Sequence, residues 1–307
     1  MNLKTSIFIL LFMPFGLASA QQKDVAEWSL QPARKFLKQS ADLNFGAVSG
    51  VAQNSKGHTF VFNRGLHPLI EFDKKGKFVR YLAEGLIKTS HGIRIDSQDN
   101  IWLTDVASHL VLKLNSKGKV QMVLGKADTP GEWDDTGKIV LFNKPSDIGF
   151  GRNGDIFITD GYGNSRVVKL NKDGQFLKAW GSKGTGEGQF NIVHAIVTDA
   201  QGLLYVADRE NKRIQIFDQE GNLLKIWTHV GSPYGLYVTQ EQEIFLTDGV
   251  ADQILKMDLS GNIMGRYGAS GKAGGQFGLP HGIIVTPAGE IIVAEILNKR
   301  VQKFVKK

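Results

Sequence analysis

Three histidines of this chain stand at one equivalent position of an internal repeat, and imidazoles are common metal ligands. His91, His194 and His281 each open an alternating apolar segment, and an acidic residue follows each of them fourteen positions later. Repeat copies arranged in a ring would bring these side chains together on the ring axis. The spacing therefore predicts a three-imidazole metal site that leaves one coordination position open for water or substrate.

The same frame recurs between the histidine copies, with Ser49, Ser146 and Tyr234 at the histidine position. There are thus six copies, and histidine occupies the second, fourth and sixth. A single histidine at the head of a strand is more often a hydrogen-bonded structural residue. Three of them in alternate copies favour convergence on a metal, because the ring would place them on one axis.

The length and pattern of the copies predict the fold. Successive histidine positions are 42, 55, 48, 40 and 47 residues apart, which is near the length of a four-stranded propeller blade. Apolar residues alternate with a period of two, as at Ile156 and Ile158, and runs end at turn pairs such as Asp173-Gly174. We predict an all-β, six-bladed β-propeller over residues 21–307. The sixth copy stops at Lys307 after about three strands, so residues 25–30 are expected to close the ring and cover its open edge.

Residues 1–20 have the pattern of a signal peptide. Lys4 precedes an apolar run over residues 7–17, and the small residues Ala18-Ser19-Ala20 offer a cleavage site. We therefore expect an exported protein, periplasmic or extracellular, with no membrane span and with a single monomeric domain. The chain has no cysteine, so disulfides and thiolate metal ligands are excluded.

The charge balance indicates the kind of partner. The formal net charge is +7, or +6 without Lys4. Basic residues are scattered through hairpin turns and do not interleave with aromatic residues, so we expect no nucleic-acid partner. Excess positive charge suits a small-molecule or peptide substrate that carries a carboxylate.

Two other repeated features are expected to be structural. The acidic residue of several copies precedes a turn and an arginine on the returning strand, which predicts cross-strand ion pairs of Asp160 with Arg166, Asp208 with Arg213 and Glu295 with Arg300. The glycine-rich stretches 181–190 and 268–277 lack the strand-to-helix context of a phosphate loop, and we predict that they connect blades.

The turn after the acidic position carries residues that a structural role does not explain. Arg64 and Arg209 occupy the next position in copies one and four, and Tyr162 stands one position further on in copy three. Turns of neighbouring blades share one rim, where functional residues concentrate. Arginines there could hold a carboxylate by paired hydrogen bonds, and a tyrosine near a metal could act as a base.

At these residues the chain resembles a known family. The repeats are similar to NHL repeats, and the chain from about residue 49 to 304 resembles peptidyl-α-hydroxyglycine α-amidating lyase, a six-bladed propeller. The most specific segments are HGIRIDSQDNIWLTDVASHLVLKL, ITDGYGNSRVVKL and VADRENKRIQIF. The three histidines, the FNRG segment at 62–65, the Tyr162 turn and Arg209 discriminate this family from other NHL proteins.

The resemblance implies a role for each of these residues. His91, His194 and His281 would bind Zn²⁺, Tyr162 would be the catalytic base, and Arg64 and Arg209 would surround the carboxylate and hydroxyl of the substrate. The family reaction cleaves a peptidyl-α-hydroxyglycine into a peptide amide and glyoxylate. Zinc would acidify the carbinol oxygen, and tyrosine would take its proton as the C–N bond breaks.

One departure concerns a second metal. The family has a structural Ca²⁺ near the axis, bound by backbone carbonyls that match Val51 and Ile93 and by an aspartate directly after the third histidine. Here that position is Gly282, which puts calcium in doubt, although carbonyls and waters could still hold a hard cation. The partner monooxygenase domain of animal members is also missing from this sequence, so a related carbinolamide, such as a ureidoglycolate-like compound, is an alternative substrate.

Two other classes of function stay open. A metal-free NHL propeller could bind a protein, peptide or glycan over one face, with the alternate histidines a coincidence. A six-bladed sugar-lactone hydrolase would use calcium held by carboxylate and amide side chains, and the three histidines argue against it.

Overall fold

The alternating segments form strands throughout. The computed structural model describes residues 28–34, 36–38, 44–134 and 136–307, and within these ranges the regular elements are 24 strands and no helix. The strands form six four-stranded antiparallel sheets, so the six-bladed all-β propeller is confirmed. In the part of the chain that the structure describes, no helix has the length and apolar character needed to cross a membrane. The predicted signal peptide lies outside the described residues.

Each blade runs outward from the axis, and the blades are numbered here from one to six in chain order. Blade one holds β2 (Val48–Gln53), β3 (Thr59–Asn63), β4 (Leu69–Phe72) and β5 (Phe78–Leu82). Blade two holds β6 (Ser90–Ile95), β7 (Ile101–Asp105), β8 (Leu110–Leu114) and β9 (Val120–Leu124). Blade three holds β10 (Asp147–Phe150), β11 (Ile156–Asp160), β12 (Arg166–Leu170) and β13 (Phe176–Trp180).

The second half of the ring repeats this order. Blade four holds β14 (Val193–Thr198), β15 (Leu204–Asp208), β16 (Arg213–Phe217) and β17 (Leu223–Trp227). Blade five holds β18 (Pro233–Val238), β19 (Ile244–Asp248), β20 (Gln253–Met257) and β21 (Ile263–Tyr267). Blade six holds β22 (Pro280–Val285), β23 (Ile291–Glu295), β24 (Arg300–Lys306) and β1 (Leu30–Pro32).

An N-terminal strand closes the ring, as predicted, but it lies later in the chain. β1 pairs with β24 from Leu30, opposite Lys306, to Pro32, opposite Phe304. Residues 25–27 of the predicted segment fall outside the described residues. Trp28 precedes the strand, and its ring packs on Phe245 of blade five, with ring centroids 5.5 Å apart. Only Leu30 of the predicted segment is therefore in the strand.

The core lies between neighbouring sheets, where the alternating apolar faces meet. One cluster joins blades four and five through Tyr205, Trp227, Leu246 and Met257, and equivalent clusters fill the other interfaces. Burial of such side chains is worth about 1.5–3 kcal/mol each and is the main stabilising contribution. The innermost strands of adjacent blades pack side by side around the axis, so residues at one height on these strands converge.

The predicted cross-strand ion pairs are confirmed. Side-chain nitrogen and oxygen atoms lie 3.0 Å apart in Arg166–Asp160, 2.6 Å in Arg213–Asp208 and 2.7 Å in Arg300–Glu295. The last two arginines also donate to backbone carbonyls of the glycine-rich stretches. Those stretches run from β13 to β14 and from β21 to β22, and they therefore connect blades as predicted.

Candidate metal centre and active site

A backbone irregularity aims the residue at the histidine position toward the axis. In blades one, two, four, five and six the pairing of the first two strands shifts register at that residue, as between Val193 and Ala195 around His194. A bulge leaves one residue out of the ladder and redirects its side chain. Because the bulge recurs in five blades, the same position of each of these copies directs its side chain toward the centre of the ring.

The three histidines meet on the axis as predicted. The ring centroids of His91, His194 and His281 are 4.8–4.9 Å apart in every pair. All three side chains are buried, and one candidate ligand nitrogen from each lies within 4.8 Å of the others. The arrangement is a compact buried cluster that could bind a metal ion.

Backbone carbonyls of the intervening blades orient the imidazoles. Nδ1 of His91 lies 2.7 Å from the oxygen of Ser146, Nδ1 of His194 lies 2.6 Å from that of Tyr234, and Nδ1 of His281 lies 2.6 Å from that of Ser49. A carbonyl only accepts, so each Nδ1 must carry the proton and donate it. Each Nε2 therefore presents a lone pair toward the axis, which is the form that binds a metal.

A glycine after the histidine permits this close approach. A Cβ atom at Gly92 would lie 2.5 Å from the oxygen of Ser146, the carbonyl that His91 uses. A Cβ atom at this position of blade two would therefore displace the neighbouring strand, whereas blade four accommodates Ala195 after His194. Gly282 has the same role in blade six, where a Cβ would meet the oxygen of Ser49 at 3.2 Å.

Tyr162 lies between two of the imidazoles, on the turn from β11 to β12. Its hydroxyl oxygen is 3.0 Å from Nε2 of His91 and 2.9 Å from Nε2 of His194. Nη1 of Arg209 donates to the same oxygen over 2.9 Å. The structure thus brings the predicted base, two predicted ligands and one predicted arginine into a single hydrogen-bonded cluster.

The cluster is short of hydrogen-bond donors. Two imidazole lone pairs face one hydroxyl, which has a single proton to donate, and Nε2 of His281 meets no donor among the residues that the structure describes. An imidazole nitrogen that accepts no hydrogen bond from the protein keeps its lone pair free for a ligand. A Lewis acid at this point would accept all three lone pairs, so the residues present fit a metal such as Zn²⁺.

Burial also keeps the imidazoles neutral, which metal binding requires. Burial is the main cause that lowers the pKa of His281 to about 3, and Arg64 and Arg209 lower it further. Burial likewise holds the pKa of His91 and His194 well below the ordinary value, with repulsion between the histidines adding to the effect. Burial raises the pKa of Tyr162, while the positive charges of Arg209 and Arg64 oppose that change.

The two predicted arginines stand above the cluster with nitrogens to spare. Arg64 is exposed, and its Nε donates to the carbonyl of Ser90 over 3.1 Å. Arg209 is buried, with its Nε on Glu210 at 2.9 Å and its Nη1 on Tyr162. Among the described residues, both Nη groups of Arg64 and the Nη2 of Arg209 have no protein acceptor. These groups could receive an anionic ligand.

Comparison with known proteins places the chain in a family. The NHL repeat pattern matches residues 142–170 and 190–217. NHL repeat-containing protein 3 of Mus musculus is 32% identical over 284 residues, which covers 85% of this chain and 80% of that protein. A probable peptidyl-α-hydroxyglycine α-amidating lyase of Caenorhabditis elegans is 34% identical over 200 residues, covering 56% of this chain and 55% of that protein. The chain belongs to the NHL-repeat family of α-amidating lyases and their relatives.

Solved structures agree on the fold. A gluconolactonase from Xanthomonas campestris superposes with a TM-score of 0.65 over 91% of this chain and 95% of that protein. The two sequences are only 14% identical, so the likeness concerns the propeller and not the reaction.

The sequence pattern did not predict a role for Tyr234 or for the backbone carbonyls that orient the imidazoles. The Tyr234 ring packs against His194 and His281, with centroids 5.0 and 5.6 Å away, and the guanidinium carbon of Arg209 lies 4.7 Å from its centroid. Tyr234 thereby positions both an imidazole and an arginine. Its place at the histidine position was the available signal. The orienting carbonyls left no signal, because every residue type has one.

The positions tied to calcium lie on the axis beyond the imidazoles. Val51, Ile93 and Gly282 line a cavity of about 30 Å³ on the far side of the histidines from Tyr162. Arg94 and Asp147 line the same cavity. This second polar cluster differs from the histidine cluster in its charges and its hydrogen bonds.

Proposed function

We propose that the protein is a zinc-dependent lyase that cleaves a peptidyl-α-hydroxyglycine, or a similar carbinolamide with a carboxylate, into an amide and glyoxylate. The observation that carries the proposal is the Tyr162 hydroxyl, held between two imidazoles and an arginine. The Tyr162 hydroxyl thus adjoins converging imidazole nitrogens and a cationic side chain in one cluster. Relatives named as amidating lyases support the same reaction class.

Different residues of the chain would bind the substrate carboxylate and hold the metal. Arg64 and the free Nη2 of Arg209 would bind the substrate carboxylate by charge-assisted hydrogen bonds. That contact would leave the carbinol oxygen next to Tyr162. Zinc held by the three imidazoles would supply the positive charge that acidifies a bound carbinol hydroxyl.

Proton transfer through Tyr162 balances the reaction. Tyr162 must first lose its own proton to solvent, which the arginines favour and burial opposes. Its phenolate oxygen would then take the carbinol proton, the carbinol oxygen lone pair would form the aldehyde, and the C–N bond would break toward nitrogen. The departing amide nitrogen would receive that proton from Tyr162, which restores the phenolate. Arg209 favours the phenolate because it donates to that oxygen.

The rim around the site suits a peptide. Leu66, Val250 and Leu297 are 84, 67 and 68% exposed, and they lie on turns of blades one, five and six, which are neighbours in the ring. All three turns are on the histidine side of the blades. We propose that this apolar arc contacts the residue that precedes the hydroxyglycine. Substrates with Phe at that position should show a lower KM than substrates with Glu there.

A direct assay tests the reaction. Zinc-loaded protein should release one glyoxylate and one peptide amide for each peptidyl-α-hydroxyglycine consumed. Glyoxylate at the level of the uncatalysed blank, with zinc fully loaded, would reject the lyase. The alternative would then be an NHL propeller that binds a protein, peptide or glycan without catalysis.

We also propose that the protein is exported, because residues 1–20 carry the pattern of a signal peptide. Mass spectrometry of protein recovered from outside the cytoplasm should find Gln21 at its N-terminus. Recovery of a chain that retains residues 1–20 would contradict cleavage.

A further inference from the structure

The axial cavity beyond the histidines contains a buried ion pair that reaches across the ring. The Arg94 guanidinium on β6 donates to both carboxylate oxygens of Asp147, with Nε to Oδ1 at 2.9 Å and Nη2 to Oδ2 at 2.5 Å. Nη1 of the same group donates to the carbonyl oxygen of Leu236 over 3.1 Å. Leu236 belongs to blade five, which stands opposite blade two in a six-membered ring.

The pair joins four of the six blades at the axis. Asp147 begins β10 of blade three, and its Oδ2 also accepts from the backbone nitrogen of Ile196 in blade four over 3.1 Å. The side chains of Arg94 and Asp147 are only 17 and 7% exposed. A positive charge with three fixed donors therefore sits where four inner strands meet, and it draws oxygen atoms of two other blades toward itself.

Oxygen ligands for a calcium ion are not available here. Ca²⁺ takes six to eight oxygens and normally includes carboxylates. Asp147 is the one carboxylate among the residues that line the cavity, and both its oxygens are already bonded to Arg94. Gly282 brings no side chain, and a Cβ there would meet the Cα of Gly50 at 3.0 Å, so the backbone is packed tightly at that point.

The positive charge of Arg94 also disfavours calcium in this cavity. The guanidinium would lie within the same small cavity as the ion, and like charges in a buried site repel strongly. The carbonyls of Val51 and Ile93 cannot by themselves satisfy a divalent cation. The residues present thus do not fit calcium.

We propose that the Arg94 guanidinium replaces an axial metal ion, so that this propeller has a covalently attached cation at its centre and does not bind calcium. The Arg94 side chain, in place of a bound ion, holds oxygen atoms of different blades around one positive charge. The planar fork of arginine suits this role because it directs donors to two blades at once.

Calcium titration of zinc-loaded wild-type protein tests the first half of the proposal. Protein stripped of metals and reloaded with one equivalent of zinc should contain no calcium by elemental analysis. Its thermal unfolding midpoint should not change when millimolar CaCl₂ is added. One calcium per chain, or a saturable rise of the midpoint with CaCl₂, would overturn the proposal. Neither readout depends on catalysis, so the proposed lyase reaction can fail without affecting this result.

Substitution of Arg94 tests the second half. Arg94→Met keeps much of the volume but leaves the Asp147 carboxylate buried and unpaired, so the midpoint should fall by several degrees. Arg152→Met on an exposed hairpin is the matched control and should melt like wild type. Equal midpoints for the two variants would show that the cross-axis pair stabilises nothing.

A double variant separates the ion pair from simple loss of packing. Arg94→Met combined with Asp147→Asn removes the orphaned charge and should regain part of the lost stability. A double variant less stable than Arg94→Met alone would contradict the assignment. If Arg94→Met does not fold, the calcium titration of the wild type still decides the proposal.

Discussion

Two buried polar clusters lie along the propeller axis, one that contains the histidines and one in the cavity beyond them. On one side, His91, His194 and Tyr162 share a single hydroxyl proton among several acceptors. On the other side, Arg94 and Asp147 satisfy each other, and their remaining hydrogen bonds go to backbone groups. Inner strands supply His91 and His194 to one cluster and Arg94 and Asp147 to the other, so burial alone does not distinguish the two clusters.

The two clusters differ in how many of their hydrogen-bonding groups lack a partner within the protein. The Arg94–Asp147 pair is complete within the protein, and a ligand there would have to break existing bonds. The histidine cluster has surplus lone pairs on one side and unused arginine donors on the other, and it is completed only from outside. Unmet hydrogen-bonding capacity in a buried cluster therefore indicates a ligand site more reliably than its composition does.

Removal of one imidazole should cause the largest change. His194→Ala should lose the bound zinc and reduce glyoxylate release to background, because two imidazoles cannot hold the ion tightly. His229→Ala, a histidine outside the cluster, should retain metal and turnover and serves as the control. The measurements are zinc per chain and kcat. Full zinc content in the His194→Ala protein would show that the cluster is not the metal centre.

Loss of the Tyr162 hydroxyl should have the next largest effect. Tyr162→Phe keeps the ring but removes the proton acceptor, and general base catalysis is worth on the order of a hundredfold to ten-thousandfold. We expect kcat to fall by about that factor while zinc content and thermal midpoint stay near wild type. An unchanged kcat would mean that the hydroxyl only packs between the imidazoles.

Arg64 should affect substrate binding more than chemistry. Arg64→Met should lower kcat/KM by about tenfold to a hundredfold, because a hydrogen bond to a charged group is worth about 1.5–3 kcal/mol. Arg64→Lys should lose less. With a substrate whose carboxylate is replaced by a carboxamide, Arg64→Met and wild type should differ little. A loss of the same size with both substrates would show that Arg64 does not bind the substrate carboxylate.

Acid should weaken the histidine cluster. In metal-free protein the pKa of His281 is lowered to about 3, below the ordinary value of about 6.5, so the unfolded chain binds a proton first as the pH falls. The stabilisation is fully present above about pH 6.5 and is lost progressively toward about pH 3. The thermal midpoint of the metal-free wild type should therefore decrease over this range more steeply than that of His281→Gln. Parallel pH profiles would contradict the shift.

Much of this architecture could be predicted from the sequence because it follows from repetition. The period of two, the spacing of the copies and the alternation of His91, His194 and His281 depend only on residue order. The ion pairs of the repeat, such as Asp208 with Arg213, follow from the hairpin register. The turn positions of Tyr162, Arg64 and Arg209 followed from the same frame.

Contacts across the ring could not be predicted in this way. Arg94 follows His91 by three positions, and nothing in that spacing shows that its side chain crosses to Leu236. The carbonyl that orients each imidazole belongs to the next blade and has no residue type to identify it. The start of β1 at Leu30 lies ahead of the first repeat copy, so the repeat frame did not define it.

Ring closure also determines when the three-histidine cluster can assemble. His281 lies in the blade that the Leu30–Pro32 strand completes, and its imidazole hydrogen-bonds to Ser49, 232 positions earlier in the chain. A chain that emerges N-terminus first during synthesis or transport cannot make this contact until blade six has followed. A metal ion could therefore contact all three imidazoles only after blade six has formed, and a chain truncated before blade six carries two of the three histidines.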